Sequence, residues 1–199
     1  MKKILYLHGF LSSPASVKVG LLRKGLEGRA RVTAPDLNAS PLDADRRIRE
    51  TLEGLIGEDE AETIVVGSSL GGFFAARAAV QFGLRAVLLN PCLNPWERVS
   101  DWVGHREIYG TDRTLDVIPS FADDFRLLNE KTNVLDANRP GTLVVLSTAD
   151  EVLPWRAAEK AFGRARQVIL PGEDHRISGF ERILPRLADF CLDEGARGL

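Results

Sequence analysis

The chain of 199 residues carries 44% hydrophobic side chains and a formal net charge of −2. That length suits one domain with a sizeable core, and the hydrophobic fraction excludes a disordered chain. The balanced charge offers no footprint for nucleic acid or an anionic membrane, and apolar stretches such as "TIVV" are far too short to span a bilayer.

The chain begins "MKKILYLHGF". Two lysines precede an apolar run that breaks at His8-Gly9, too early for a secretory leader, and residues 4–7 read as a strand. A helical face follows over 16–27, then a strand over 30–34. Residues 43–58 place Ile48, Leu52, Leu55 and Ile56 on one helical stripe with charges elsewhere. "TIVVG" (63–67) reads as the third strand, short, apolar and rich in Val and Ile, and 71–82 is an Ala-rich helix expected to be mostly buried. Strands follow at 86–90, 142–147 and 167–170, with helices at 155–163 and 179–194. Pro185 inside the last pattern predicts a kink or a helix that begins there.

Six short buried strands alternating with helices predict an α/β fold: a doubly wound, mainly parallel sheet in the order 2-1-3-4-5-6, covered on both faces. Right-handed crossovers then gather the functional loops at the carboxyl ends of the strands. Residues 91–140 break the rhythm. They show no clear strand and carry Trp96, Trp102, Tyr109, Phe121 and Phe125. Such a segment predicts a helical cap inserted within the single domain, its aromatic residues lining an apolar pocket.

The turn after the third strand reads "VVGSSLGG". Gly-x-Ser-x-Gly takes a chain from strand to helix in very few residues, with the serine in a strained state that aims its hydroxyl off the sheet edge. Around Ser69 the flanking positions are Gly67 and Gly71, and both fit; around Ser68 they are Val66 and Leu70, and both fail. Ser69 is therefore the candidate nucleophile, and Ser68 a compact neighbour.

A serine hydroxyl needs a base. Of three histidines, His8 follows the first strand, His105 lies in the expected cap, and His175 lies in "LPGEDHRISGF" between the last strand and last helix. His175 shares the sheet edge with Ser69, and Gly172 and Gly179 let its loop reach across. The acid should follow the strand between them, where "TLVVLSTADEVLP" offers Asp150 and Glu151. Asp150 has the shorter side chain that suits a buried orienting role, and the order Ser…Asp…His matches a nucleophile-elbow hydrolase. Asp174 adjoins His175 and is a weaker rival; Asp36 reads as a turn or cap residue. An oxyanion hole needs two backbone N–H donors. Leu70, after the nucleophile, supplies one. The loop "HGFLSSP" supplies the other from Phe10, with Gly9 permitting close approach and His8 supporting the loop.

With these residues assembled, the chain resembles the α/β-hydrolase superfamily, and within it the small YqiA-like bacterial esterases. The motifs are "YLHGFLSSPASVK", "GSSLGGFFA", "LLNP", "ADEVL" and "DHRISGFER", spanning residues 6 to 182. The resemblance implies a compact hydrolase core, a Ser69-Asp150-His175 triad and esterase activity on small-molecule acyl esters or thioesters. Such chemistry requires no metal or organic cofactor. Another hydrolase activity on the same scaffold (peptidase, lactonase or carbon–carbon bond hydrolase) and a non-catalytic ligand-binding protein are the alternatives. Cys92 and Cys191 lie far apart without metal-ligand spacing, which predicts reduced thiols and a cytoplasmic protein.

Overall fold

The computed structural model describes residues 1–58 and 62–192. In chain order the first elements are β1 (Lys2–Leu7), α1 (Val17–Gly25), β2 (Ala30–Thr33), α2 (Pro41–Glu58), β3 (Thr63–Ser68), α3 (Leu70–Phe82) and β4 (Arg85–Leu89). Next come a 3-10 turn at Pro95–Glu97, α4 (Val99–Trp102), β5 (Gly104–Glu107), β6 (Thr114–Val117), α5 (Phe121–Lys131) and a 3-10 turn at Val134–Ala137. The chain closes with β7 (Thr142–Ser147), α6 (Trp155–Ala161), β8 (Arg166–Leu170) and α7 (Phe180–Leu192).

The main sheet has six strands in the order β2-β1-β3-β4-β7-β8, and every pairing is parallel. This is the expected order. Strands β1, β3, β4 and β7 are buried almost throughout, as continuous apolar runs require when both faces are covered. One face carries α1 and α7, which enclose Ile4, Tyr6, Val66 and Leu89. The other carries α2, α3, α5 and α6 over Leu5, Leu7, Val65 and Leu88.

Local signals explain the element ends. Ser40 precedes α2 with Pro41 in its first position; the Asp43 N–H donates to Ser40 Oγ at 3.2 Å, and that hydroxyl donates to Asp43 Oδ2 at 2.8 Å. This is a variant of the capping box, with proline where its missing N–H costs nothing. Gly83 ends α3 in the left-handed region, φ 67°. Ile48, Leu52 and Leu55 point inward from α2, but Ile56, expected on the same stripe, is 41% exposed. The helix α7 begins at Phe180 and runs through Pro185, so that proline does not start it. The last two residues of the expected 179–194 helix lie outside the described residues.

Residues 91–140 carry helices, as expected, and also a two-stranded antiparallel hairpin, β5-β6, that apolar patterning did not mark. Its strands are short and mostly exposed, so they lack the buried run that signals a strand in sequence. Helix α5 packs Phe121, Phe125 and Leu128 onto the α2/α3 layer. A buried ion pair anchors that layer: Arg77 donates to Asp45 Oδ1 at 3.2 Å and to the Thr132 carbonyl at 2.9 Å.

Candidate active site

The parallel register ends β1 at Leu7 beside Gly67 and β4 at Leu89 beside Ser68. The loops after β1, β3, β4, β7 and β8 therefore leave the same edge of the sheet. They carry, in order, Gly9-Phe10, Ser69, Asn90, Asp150 and His175.

Ser69 has φ 55° and ψ −119°, a conformation that few side-chain-bearing residues adopt. Three backbone hydrogen bonds hold it there. Its N–H donates to the Leu89 carbonyl at 2.9 Å, and its carbonyl accepts from Gly72 N–H at 2.8 Å and Cys92 N–H at 3.0 Å. Crowding explains the glycines around it. A Cβ on Gly67 would lie 2.1 Å from the Gly71 carbonyl oxygen and 2.6 Å from Ala75 Cβ; one on Gly71 would lie 2.0 Å from the Leu7 carbonyl oxygen. Neither side chain fits, because the turn stacks β1, β3 and α3 backbone on backbone.

Ser69, His175 and Asp150 are joined in one hydrogen-bonded chain. His175 Nε2 lies 2.9 Å from Ser69 Oγ, and His175 Nδ1 lies 2.8 Å from Asp150 Oδ2. Asp150 Oδ1 accepts from the N–H groups of Val152 (2.9 Å) and Leu153 (2.8 Å). Burial pushes the Asp150 carboxyl up, but hydrogen bonds from His175, Leu153 and Val152 outweigh it and hold the group below the ordinary carboxylate range. An ionised Asp150 only accepts, so Nδ1 carries the imidazole proton and the Nε2 lone pair faces the serine hydroxyl. Asp150 is 1% exposed and His175 13% in their side chains.

The rival acids do other work. Glu151 accepts the backbone N–H of His175 at 3.0 Å and does not touch the imidazole. Asp174 caps its own loop, accepting from the Ser178 N–H at 2.8 Å and the Ser178 hydroxyl at 2.7 Å. Asp36 accepts from the Asn38 N–H at 3.0 Å in an Asx turn, as a turn residue should, and also binds Arg113 Nη1 at 2.6 Å. His105 lies away from the site, paired with Asp116 at 2.6 Å across the hairpin.

The loop after β1 packs directly against the serine. A Cβ on Gly9 would lie 3.3 Å from Ser69 Cβ. His8 is buried, and its Nε2 accepts the Leu37 N–H at 3.0 Å while Nδ1 faces the Gly9 carbonyl at 2.9 Å. Burial, outweighing Gly9 and Asp36, lowers the His8 pKa and keeps it neutral, in a supporting position. Leu70 opens α3, so its N–H has no intrahelical acceptor. Among the described residues no backbone carbonyl accepts the N–H of Phe10 or Leu70.

Sequence reasoning gave no role to Asn90. It is 3% exposed with φ 42°. Its Oδ1 accepts the Ser147 N–H at 2.8 Å, while its Nδ2 donates to Ser147 Oγ at 2.9 Å and to the His175 carbonyl at 3.0 Å. One side chain thus ties the ends of β4 and β7 to the histidine loop. Its signal in the sequence is a polar residue ending an apolar strand just before a proline, within the "LLNP" motif.

Beside Phe10 and Leu70 lies a narrow apolar cleft of about 30 Å³, walled by Phe74, Trp102, Leu115 and Phe125. Of the aromatic residues expected to line such a pocket, Trp102, Phe121 and Phe125 do, whereas Tyr109 is 77% exposed at the hairpin turn and Trp96 packs against the core. A larger cavity of about 300 Å³ is lined by Asp150, Cys92, Arg98 and Trp155; neither it nor the cleft has Ser69 or His175 in its lining, and the cleft adjoins the serine through Gly9, Phe10 and Leu70. Burial pushes the Cys92 thiol up to about 12, which makes it an inert packing group. Among the described residues no cluster of His, Cys, Asp or Glu is arranged to hold a metal ion, and no helix is long and apolar enough to cross a membrane.

A family model described as "Uncharacterised protein family (UPF0227)" matches residues 3–192, and the chain belongs to that family. A UPF0227 protein of Pectobacterium atrosepticum is 26% identical over 185 residues, covering 92% of this chain and 94% of the relative. One from Yersinia enterocolitica is 30% identical over 151 residues, covering 75% and 76%. Among solved structures, Est1E from Butyrivibrio proteoclasticus superposes with a TM-score of 0.75 at 17% identity, covering 98% of this chain and 88% of its own. A monoacylglycerol lipase of Paleococcus ferrophilus gives 0.69 at 16% identity, covering 96% and 94%. These likenesses show the α/β-hydrolase fold.

Proposed function

We propose that this UPF0227 member is a serine hydrolase that cleaves carboxylic esters or acyl thioesters, with Ser69, His175 and Asp150 as its triad. The observation that carries the reading is the continuous hydrogen-bonded relay from Ser69 Oγ through His175 to a buried Asp150, at 2.9 Å and 2.8 Å, with the serine in a strained elbow. Two proteins of similar fold, an esterase domain from Rhodothermus marinus and a monoacylglycerol lipase from Paleococcus ferrophilus, favour the same chemistry.

His175 Nε2 takes the Ser69 proton as Oγ attacks the acyl carbonyl. Asp150, already ionised, holds the Nδ1 tautomer and stabilises the imidazolium that forms. The N–H groups of Phe10 and Leu70 receive the developing oxyanion, aided by the positive end of α3. His175 then protonates the leaving alcohol or thiol. A water, deprotonated in the same way, attacks the acyl-serine and releases the acid. Residues 91–140 act as a cap over the apolar side of the site, contributing Trp102 and Phe125 to its wall.

The test is labelling with a fluorophosphonate followed by peptide mapping, alongside turnover of an ester panel and an amide panel. The expected result is an adduct on Ser69, ester turnover, and loss of both in Ser69→Ala. An adduct on Ser68, or turnover that survives Ser69→Ala, overturns the assignment.

A further inference from the structure

We propose that Trp102 sets the acyl length this chain accepts, so that its substrates carry short acyl groups, of about four carbons or fewer. The proposal rests on the serine-hydrolase reading and names its substrate class.

The cleft beside the proposed oxyanion donors is small. Its volume of about 30 Å³ has room for two or three methyl-sized groups, since one water-sized group needs about 10–15 Å³ on this measure. Its lining is apolar, so it rewards hydrocarbon and offers nothing to a charged acyl tail. Trp102 closes it. The indole stacks on the Phe10 ring with centroids 4.3 Å apart and planes 18° apart, and meets Phe125 edge-on at 6.5 Å. A longer chain would have to displace a ring held on two sides.

The backbone beneath the indole is held as firmly. Arg106 donates from Nε to the Trp102 carbonyl at 2.7 Å and from Nη2 to the carbonyls of Asp101 (3.0 Å) and Val103 (2.8 Å). This guanidinium satisfies the open C-terminal carbonyls of the short helix α4. The hairpin that carries Arg106 is itself fastened to the loops around the serine. The Tyr109 N–H donates to the Leu11 carbonyl at 2.8 Å, and Arg113 binds Asp36 at 2.6 Å. Trp102 therefore belongs to a wall tied to the Phe10 loop.

Each methylene that finds an apolar site improves transition-state binding about fourfold. In the intact chain that gain stops when the cleft is full. Removing the indole opens space for further methylenes, and three of them are worth about 60-fold.

The experiment measures kcat/KM for p-nitrophenyl esters from acetate to decanoate, and for a matched series of alkyl acetates with growing alcohols. Wild type should peak at or below butyrate in the acyl series and fall steeply beyond it. Trp102→Ala should raise the octanoate-to-acetate ratio by about 10–60-fold. Trp102→Leu, which keeps apolar bulk in the wall and guards against misfolding of the alanine variant, should move the ratio the same way by less. A wild-type profile that stays level to decanoate overturns the proposal. So does an unchanged ratio in both variants, or a length limit confined to the alcohol series. In each of those cases turnover and Ser69 labelling persist. Absence of turnover at every length, with no fluorophosphonate adduct on Ser69, overturns the hydrolase reading itself and this proposal with it.

Discussion

Asn90→Ala tests whether the histidine is placed by its own loop or by the strand beside it. The substitution removes the acceptor of the Ser147 N–H, a backbone group on a residue with no solvent exposure. An orphaned buried donor costs about 1–3 kcal/mol. Alanine also tolerates the observed φ of 42° less well than asparagine, which adds about 1–2 kcal/mol. Together these give about 2–5 kcal/mol, or a fall in Tm of about 4–20 °C for a domain of this size. The catalytic consequence is separate. Without the Nδ2 donor, the His175 carbonyl loses its 3.0 Å anchor, and misplacement of a reacting group by an ångström costs on the order of 10²-fold. Asn90→Asp keeps the acceptor for the Ser147 N–H but turns a carboxylate towards the Asp174 and His175 carbonyls, and burying that charge lowers Tm as well. We expect kcat of the folded Asn90→Asp variant to fall with KM little changed. The assay is thermal melting paired with ester hydrolysis measured well below each variant's melting point. Wild-type kcat in a folded Asn90→Asp variant would refute the anchoring role.

Asp150 and His8, two titratable groups, carry the next predictions. Asp150→Asn should lower kcat by about 10⁴-fold by presenting the wrong imidazole tautomer, whereas Glu151→Gln, which retains an acceptor for the His175 N–H, should stay within about tenfold; the reverse ranking in steady-state kinetics would reassign the acid. His8 is held neutral by burial, with its pKa below the ordinary 6.5. As pH falls, the unfolded chain binds this proton first, so the stability His8 contributes is intact above about pH 6.5 and is lost as pH drops towards the lowered folded value. His8→Gln keeps a donor and an acceptor without titrating. Its Tm should therefore decline less than wild type between about pH 6.5 and 5; equal slopes would show that His8 titrates alike in both states.

Six strands were readable from the sequence because strands in a sheet covered on both faces are short apolar runs, buried almost throughout in β1, β3, β4 and β7 and partly so at the edges β2 and β8, and their parallel order followed from the helices between them. The hairpin β5-β6 was not, since half-exposed strands such as "GHRE" carry no apolar pattern. The glycines around Ser69 were legible for a similar reason: a turn that would bring a Cβ within 2.1 Å of backbone admits only glycine. That local requirement separates Ser69 from Ser68 in the sequence itself.

What sequence alone determined, then, were the features whose physics is local: apolar period, turn sterics, and a few reactive residue types at strand ends. What only the tertiary structure decided were the contacts between distant loops. Asp150 and Glu151 are neighbours in one strand-end loop, and both meet His175, one at the imidazole and the other at the backbone. The direction of each side chain separates them, and that is set by packing around the β7 and β8 ends. Asn90 shows the same limit, because its partners lie 57 and 85 residues further along the chain. Trp102 could be read as an aromatic residue over the site, but its stacking on Phe10 depends on how α4, the hairpin and the loop after β1 fit together. Residues far apart in sequence meet only once the sheet has formed, and no short-range pattern records where they will meet.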